Sequence, residues 1–172
     1  MFTGLSGSGK SSLATALVTW LEAKTDRTVT LLDGDVVRQH LSSGLGFDSA
    51  SRDLNIRRIG YVASEIARHH GIAVCAPIAP FDASRKAVRA MVEPLGDFVL
   101  IHVATPLAEC ERRDRKGLYA KAREGLVEEF TGISSPYEVP ADADLMLDTT
   151  DQTVPRSLAQ VLDLLRSGHW LP

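Results

Sequence analysis

The sequence has little of what marks membrane, nucleic-acid-binding or disulfide-rich proteins. It has two cysteines in 172 residues, so no disulfide framework is expected, and Cys75 and Cys110 are predicted to be reduced core residues. No apolar run reaches the roughly 18 residues of a membrane span, and no leader pattern is recognised. The formal net charge is -3, so no global positive field would attract nucleic acid. We therefore expect a cytoplasmic protein with neither a membrane nor a nucleic-acid partner, whose anion sites are built locally.

The length and composition indicate one compact α/β domain. At roughly 150 residues per domain, residues 1–172 make one domain the leading count. Segments rich in Val, Ile and Leu alternate with helical patterns, which indicates a parallel sheet with helices on both faces. Strands are predicted over residues 29–33, 72–78, 98–104 and 145–148, and helices over residues 10–23, 51–70, 82–93, 106–113 and 155–167.

Residues 114–144 lack a clear strand pattern. They contain three glycines and two prolines, at Gly117, Gly125, Gly132, Pro136 and Pro140. Because a strand-like segment and a helix follow, this stretch is interpreted as a long functional loop or lid rather than as a linker.

A glycine-rich motif opens the chain. Residues 4–11 read GLSGSGKS, a full match to G-x-x-x-x-G-K-[ST] between an apolar stub and a helix. Such a loop points backbone N–H groups at phosphate oxygens, while the lysine reaches the β and γ phosphates and the last serine can hold Mg²⁺. We therefore expect a nucleoside triphosphate and Mg²⁺ as cofactors, Lys10 as a catalytic residue and Ser11 as a metal ligand. The residues expected to contact the nucleotide are Gly4, Ser6, Gly7, Ser8, Gly9, Lys10, Ser11 and Ser12.

Two carboxylates end the next predicted strand. Asp33 and Asp35 follow the apolar run of residues 29–32, and ligands of open α/β sheets bind at the carboxyl ends of strands. A carboxylate there can accept the proton of an attacking hydroxyl or fix a metal-bound water. The alternative is that Asp35 caps the following helix through an Asx turn.

Arginines cluster locally in this acidic chain. Arg38, Arg52, Arg57 and Arg58 lie between the phosphate loop and the strand that starts at residue 72, and Asn55 shares their predicted helix. A solvated face is the ordinary explanation for such a cluster, but its position favours binding of an anionic acceptor. For Arg112, Arg113 and Arg115 a solvated cluster and a set of lid cations for the transferring phosphoryl group are equally open.

Taken together, the ordered motifs resemble the adenylylsulfate kinase family. They run from residue 4 to about residue 140 and comprise residues 4–11, 33–38, 45–47, 52–60, 114–119, 130–133 and 136–138. The resemblance implies transfer of the ATP γ-phosphoryl group to the 3′-hydroxyl of adenosine 5′-phosphosulfate, as in sulfate assimilation. It further implies a P-loop NTPase-type fold with a lid over both nucleotides.

The resemblance also implies roles for single residues. Arg38, Arg52 and Asn55 would hold the phosphosulfate group, Phe47 and Phe130 would sandwich the acceptor adenine, and Asp35 would orient or deprotonate the 3′-hydroxyl. Their polar loop settings favour stacking over a core role for the two phenylalanines. Further acceptor contacts are expected from Asp33, Ile78, Lys116 and Leu118.

The sequence departs from the usual family pattern at residues 78–82. Ala79 stands where a serine is usual, which excludes a phosphoserine there, and Asp82 replaces a cation near the expected acceptor pocket. This variant is most similar to kinase domains fused behind ATP sulfurylase. With only residues 1–3 before the phosphate loop, it suggests the C-terminal domain of a longer chain, with a covalently linked sulfurylase. A homo-oligomer is expected as well.

Two other functions stay open at this point. One is a catalytically silent, nucleotide-sensing domain that regulates an ATP sulfurylase, and the other is a different small-molecule kinase with the same loop. The intact Lys10 and Asp35 argue against the silent domain.

Overall fold

The computed structural model describes residues 1–170 as alternating strands and helices. The strands are β1 (Phe2–Thr3), β2 (Val29–Asp33), β3 (Ile72–Ala76), β4 (Ile101–Val103) and β5 (Leu145–Leu147). The helices are α1 (Lys10–Glu22), α2 (Gly34–His40), α3 (Ser49–Arg68), α4 (Asp82–Val92), α5 (Leu107–Arg113), α6 (Leu118–Arg123) and α7 (Val154–Ser167).

All strand pairs described are parallel. β2 pairs with β3, and β1, β4 and β5 form a second sheet in the order β1-β4-β5. The two sheets meet where the Gly4 amide donates to the Ile78 carbonyl at 3.3 Å. The carboxyl ends of β1, β2 and β3 therefore lie at one edge, which carries the phosphate loop.

Helices cover both faces of the strands, as predicted. On one face, α1 and α7 pack against Val74 and Ala76 of β3 in a core that includes Phe2 and Leu147. On the other face, α3 and α4 pack against Cys75, whose side chain alternates with those two along the strand.

The predicted elements are all present; β2 has the predicted bounds, the other three predicted strands are shorter, and two helices were not predicted. Helix α2 begins directly after β2 because the Asp33 carboxylate caps it, accepting from the Asp35 amide at 3.0 Å. Helix α6 lies inside the predicted lid, where the Asp114 carboxylate accepts from the Tyr119 and Ala120 amides at 3.1 and 3.0 Å. Both helices are short and start at or after glycine, so no long periodic pattern signals them.

Both cysteines are free thiols buried in the core, which confirms that prediction. Burial raises the pKa of Cys75 to about 11, so its thiol stays protonated and unreactive near neutral pH. Within residues 1–170, none of the helices has the length and apolarity that crossing a membrane requires.

Candidate functional site

The phosphate loop has backbone angles that require glycine. Gly4 has a φ of 147°, and a Cβ built on it would lie 2.4 Å from the Val103 carbonyl oxygen. Gly9 has a φ of 101° and serves as the N-cap of α1, so the helix starts at Lys10. Because the loop leads directly into α1, it lies at the positive end of that helix's dipole, where anions bind.

Lys10 is buried beneath this loop. Its Nζ donates to the Leu5 carbonyl at 2.6 Å and to the Ser8 hydroxyl at 3.4 Å. Burial lowers the pKa of Lys10 to about 8, against partial compensation from nearby acids that include Asp33 and Asp35. A bound phosphate would supply the counter-charge that this desolvated ammonium lacks.

Asp33 connects the loop to α2. Its Oδ2 accepts from the Ser11 hydroxyl at 2.6 Å, and its Oδ1 accepts from the Asp35 amide at 3.0 Å. The helix-capping role considered for Asp35 thus belongs to Asp33, while Asp35 lies in the first turn with its carboxylate free to interact elsewhere. Ser12 is exposed on the same turn of α1 as Ser11.

Asp35 forms an ion pair with Lys116 at the start of the predicted lid. Both side chains are exposed, at 67% and 54% of their full accessible area. The pair is therefore weak and easily exchanged for other partners. It joins the start of the predicted lid to the first turn of α2.

Two of the clustered arginines line the loop after α2. The Arg38 guanidinium lies 4.3 Å from the centre of the Phe47 ring and donates to the Gly46 carbonyl at 2.9 Å. Arg52 is buried, and its guanidinium donates to the Phe47 carbonyl and the Thr131 hydroxyl. Phe47 itself is 61% exposed, in agreement with a loop rather than a core position.

The other members of the arginine cluster separate into two kinds. Arg57 pairs with Asp53 at 2.7 Å and Arg58 donates to the Leu41 carbonyl at 2.7 Å, so these two exposed arginines form the solvated face. Asn55 is buried, and within residues 1–170 its Oδ1 has no hydrogen-bond partner. A buried polar atom without a partner lowers the stability of the fold unless a ligand supplies the missing hydrogen bond.

Phe130 is held by the lid helix. Its ring meets the Tyr119 ring edge-on, with centroids 4.9 Å apart, and the Tyr119 hydroxyl donates to the Ser6 carbonyl at 2.8 Å. Burial raises the pKa of Tyr119, so the hydroxyl stays a donor. Leu118, half-buried, begins α6 beside these contacts. The lid residues thus contact the phosphate loop directly.

In the unusual segment after β3, the Ala79 carbonyl and the Asp82 carboxylate both have partners in α4. Ala79 has a φ of 46°, and its carbonyl accepts from the fully buried Arg85 at 2.8 Å. Asp82 pairs with Lys86 at 2.6 Å and with Arg85 at 3.4 Å, so its charge is neutralised within α4. Ile78, half-buried, lies directly before this turn, next to the phosphate loop.

Sequence reasoning missed the residues behind the phosphate loop. Thr105 and Thr149 donate to the Ser8 carbonyl at 3.0 and 2.9 Å, and Arg113 donates to the Gly7 carbonyl at 3.3 Å. Both threonines come two residues after a strand, so the carboxyl-end argument that selected Asp33 would have selected them. Of the arginines near residue 113, Arg112 is solvated and paired with Glu109, whereas Arg113 turns toward the loop.

Comparison with known proteins identifies the family. A family model described as "Adenylylsulphate kinase" matches residues 1–148. The chain belongs to the adenylylsulfate kinase family. The "Adenylyl-sulfate kinase" of Synechococcus sp. is 46% identical over 170 residues, which cover 99% of this chain and 95% of that protein.

Other relatives in the family are much longer proteins. The "Sulfate adenylyltransferase" of Neurospora crassa is 47% identical over 167 residues, which are 97% of this chain and 29% of the fungal protein. The chain thus spans less than a third of the length of the fungal relatives it matches.

Solved structures of the family share the fold. The APS kinase of Mycobacterium tuberculosis in complex with AMPPNP and APS has a TM-score of 0.90 at 43% identity, covering 96% of this chain and 95% of that one. The hexameric APS kinase of Thiobacillus denitrificans has a TM-score of 0.78 at 46% identity, covering 99% of this chain and 29% of that one. The predicted P-loop kinase fold is confirmed by these neighbours.

Proposed function

We propose that this member of the adenylylsulfate kinase family transfers the γ-phosphoryl group of ATP to the 3′-hydroxyl of adenosine 5′-phosphosulfate. The products are 3′-phosphoadenosine 5′-phosphosulfate and ADP. The observation that carries the proposal is the contact between Ser11 and Asp33, 2.6 Å between oxygens, which holds the α2 start and Asp35 against the phosphate loop. A phosphate-binding lysine and a carboxylate are thereby available to the same reacting centre.

The donor side would be bound by the loop and Lys10. The loop amides would bind the β-phosphate, and the Lys10 ammonium would leave the Leu5 carbonyl for the oxygens of the transferring group. Asp35 would exchange Lys116 for the 3′-hydroxyl and take its proton as the new P–O bond forms. The released Lys116 would then be free to contact the acceptor.

The acceptor side would be bound between α3 and the lid. Arg38 and Arg52 supply cations for the phosphosulfate, and the unpaired Asn55 amide can offer either an oxygen or, flipped, an N–H donor. Phe47 and Phe130 would stack on the adenine, with further contacts from Asp33, Ile78 and Leu118. A closed lid would exclude water, which otherwise competes as the phosphoryl acceptor.

Mg²⁺ is proposed as the metal of this site. Ser11 and Asp33 offer hard oxygen ligands, which suit Mg²⁺. Within residues 1–170, no group of three or more His, Cys, Asp or Glu side chains could hold a metal alone, so the ATP phosphates would complete the coordination. When bound, the cation neutralises charge on the β and γ phosphates.

A coupled assay tests the proposed activity. With ATP, Mg²⁺ and adenosine 5′-phosphosulfate, we expect ADP to form in proportion to the acceptor added. ADP binding without acceptor-dependent turnover would instead support a catalytically silent, nucleotide-sensing domain. Turnover with another acceptor alone would assign a different kinase specificity.

Replacing Phe130 by alanine is expected to weaken acceptor binding roughly 5- to 150-fold, because a stacked base contributes about 1 to 3 kcal/mol. The acceptor KM and the Kd of the 3′-phosphoadenosine 5′-phosphosulfate product measure the effect. We expect a similar loss from Phe47→Ala. Tyr61→Ala is the matched control, since Tyr61 is a 63% exposed aromatic on α3. Unchanged acceptor affinity in both phenylalanine variants would remove the stacking assignment.

Further proposals concern the setting of the domain. We propose that these residues form one domain, the C-terminal part of a longer chain with a linked ATP sulfurylase; the 29% coverage of the fungal relatives supports this. A homo-oligomeric state is also proposed, supported by the hexameric relative. The two free thiols support a cytoplasmic location.

A further inference from the structure

Three side chains hold the back of the phosphate loop. The Ser8 carbonyl accepts from Thr149 at 2.9 Å and from Thr105 at 3.0 Å, and the two hydroxyl oxygens lie 2.8 Å apart. The Gly7 carbonyl accepts from Arg113 at 3.3 Å. Two consecutive carbonyls at the turn of the loop are thus directed away from the phosphate side.

The direction of these carbonyls fixes the direction of the amides. A trans peptide unit is planar, so its carbonyl and its N–H point opposite ways. Because the Ser8 carbonyl faces the threonine pair, the Gly9 N–H faces the concave side of the loop. The same argument turns the Ser8 N–H inward, where it donates to the Leu5 carbonyl at 3.2 Å. The threonines therefore orient the Gly9 amide toward the side where phosphate would bind, while the Ser8 amide is oriented by Arg113 and bonds the Leu5 carbonyl.

Thr149 lies at the centre of this network. Its hydroxyl also accepts from Arg113 at 2.8 Å, and its carbonyl accepts from the same guanidinium at 2.9 Å. Its backbone amide donates to the Thr105 hydroxyl at 3.2 Å. Thr149 is buried, and its side chain packs against Gly9, where a Cβ would lie 3.3 Å from its hydroxyl.

Arg113 is itself held in place. Its Nε donates to the Glu109 carboxylate at 2.7 Å, one turn earlier on α5. Hydrogen bonds from Arg112 and Arg113 lower the pKa of Glu109 to about 2, so this carboxylate is ionised near neutral pH. The network thus connects the loop to the ends of β4, β5 and α5.

We propose that Thr149 is a positioning residue for nucleotide binding, acting through the Ser8 carbonyl together with Thr105 and Arg113. It contacts the loop from behind and orients the Gly9 amide toward the side where phosphate would bind. The inference rests on the proposed function only in that the loop binds ATP and ADP; it does not depend on the acceptor.

The test compares Thr149→Val with Thr149→Ser. The valine is nearly isosteric but lacks the hydroxyl, so we expect the Kd for ADP with MgCl₂ and the KM for ATP to rise about 10-fold, the effect of about 1.4 kcal/mol. The acceptor KM should stay unchanged. Thr149→Ser keeps the hydroxyl and is expected to restore nucleotide affinity to within about threefold of the wild type.

Thr153→Val is the matched control. Thr153 caps α7, where its hydroxyl accepts from the Arg156 amide at 3.4 Å, and it makes no contact with the loop. It should lower the melting temperature without changing the ADP Kd. The inference is overturned if Thr149→Val leaves the ADP Kd unchanged, or if serine fails to restore it.

The test of Thr149 and the test of the proposed function can fail independently of each other. Acceptor-dependent turnover by the wild type together with an unchanged ADP Kd in Thr149→Val overturns the positioning role alone. ADP binding that falls in Thr149→Val and recovers in Thr149→Ser, without any turnover of adenosine 5′-phosphosulfate by the wild type, supports the positioning role and overturns the proposed activity.

Discussion

Replacing Lys10 by methionine is expected to lower kcat about 10³-fold or more, because the transferring phosphoryl group loses its buried cation. Groups that neutralise this charge in a water-excluded site contribute roughly 10²- to 10⁵-fold to the rate. Within the described residues 1–170, the hydrogen-bond partners of the Lys10 ammonium are neutral oxygens of Leu5 and Ser8. It is thus poised to exchange these partners for phosphate. Steady-state kinetics with saturating acceptor measure the loss.

The loss should not come from unfolding. The pKa of Lys10 is lowered to about 8 in the folded chain, mainly by burial, and the unperturbed value is 10.5. Because the pKa of Lys10 is lower in the folded chain than in the unfolded chain, its charge lowers the free energy of unfolding. This destabilisation is fully present below pH 8 and disappears as the pH rises from 8 to 10.5. Removing the charge near neutral pH should therefore leave the melting temperature equal or higher.

Lys24→Met is the control for Lys10→Met. Lys24 is exposed just beyond the end of α1. Lys24→Met therefore removes one positive charge, as Lys10→Met does, but at a site away from the phosphate loop. We expect wild-type kinetics from it. An active Lys10→Met enzyme would refute the role of the loop lysine, whereas an inactive one with a lower melting temperature would refute the stability argument.

Replacing Asp35 by asparagine is expected to lower kcat by roughly 10²- to 10⁴-fold while ADP affinity stays within about threefold of the wild type. The amide keeps the shape of the side chain but cannot take the proton of the acceptor hydroxyl. Asp35 does not cap α2, since that bond belongs to Asp33, so the helix should be preserved. Rapid-quench measurement of phosphoryl transfer separates this loss from slow product release.

Lys116→Met tests whether Asp35 acts in proton transfer or only in holding the lid. Both this variant and Asp35→Asn weaken the ion pair between the lid and α2, but only Asp35→Asn removes the carboxylate. We expect Lys116→Met to raise acceptor KM with a much smaller loss in kcat. Equal losses of kcat in the two variants would assign Asp35 to lid attachment instead of proton transfer.

The parts of the fold that sequence could predict are those encoded by adjacent residues. The phosphate loop, the strand before Asp33 and the α3 helix each have a local signature of spacing or hydrophobic period. The site around them is different, because the Ser8 contacts of Thr105 and Thr149 join residues about a hundred positions apart or more. The positions of the two threonines after strand ends mark them as candidates, but nothing in their local sequence identifies Ser8 as their partner.

Short helices escaped prediction for a related reason. The α2 and α6 helices have seven and six residues, too few for a periodic pattern. A carboxylate accepts from the first amides of each, that of the N-cap Asp33 in α2 and that of Asp114, before the N-cap Gly117, in α6. For α2, the alternative considered for Asp35 placed the cap two residues too late. The difference follows from β2, which places Asp33 in extended conformation directly before the first helical residue.

The two carboxylate oxygens of Asp33 have separate partners. Oδ2 accepts from the Ser11 hydroxyl and Oδ1 from the amide at the start of α2. In the proposed mechanism, a metal and nucleotide would replace the hydrogen bond at Oδ2, while the bond at Oδ1 would keep the start of α2, and with it Arg38, in place. Nucleotide exchange would then break one hydrogen bond and would not require α2 to refold at each turnover.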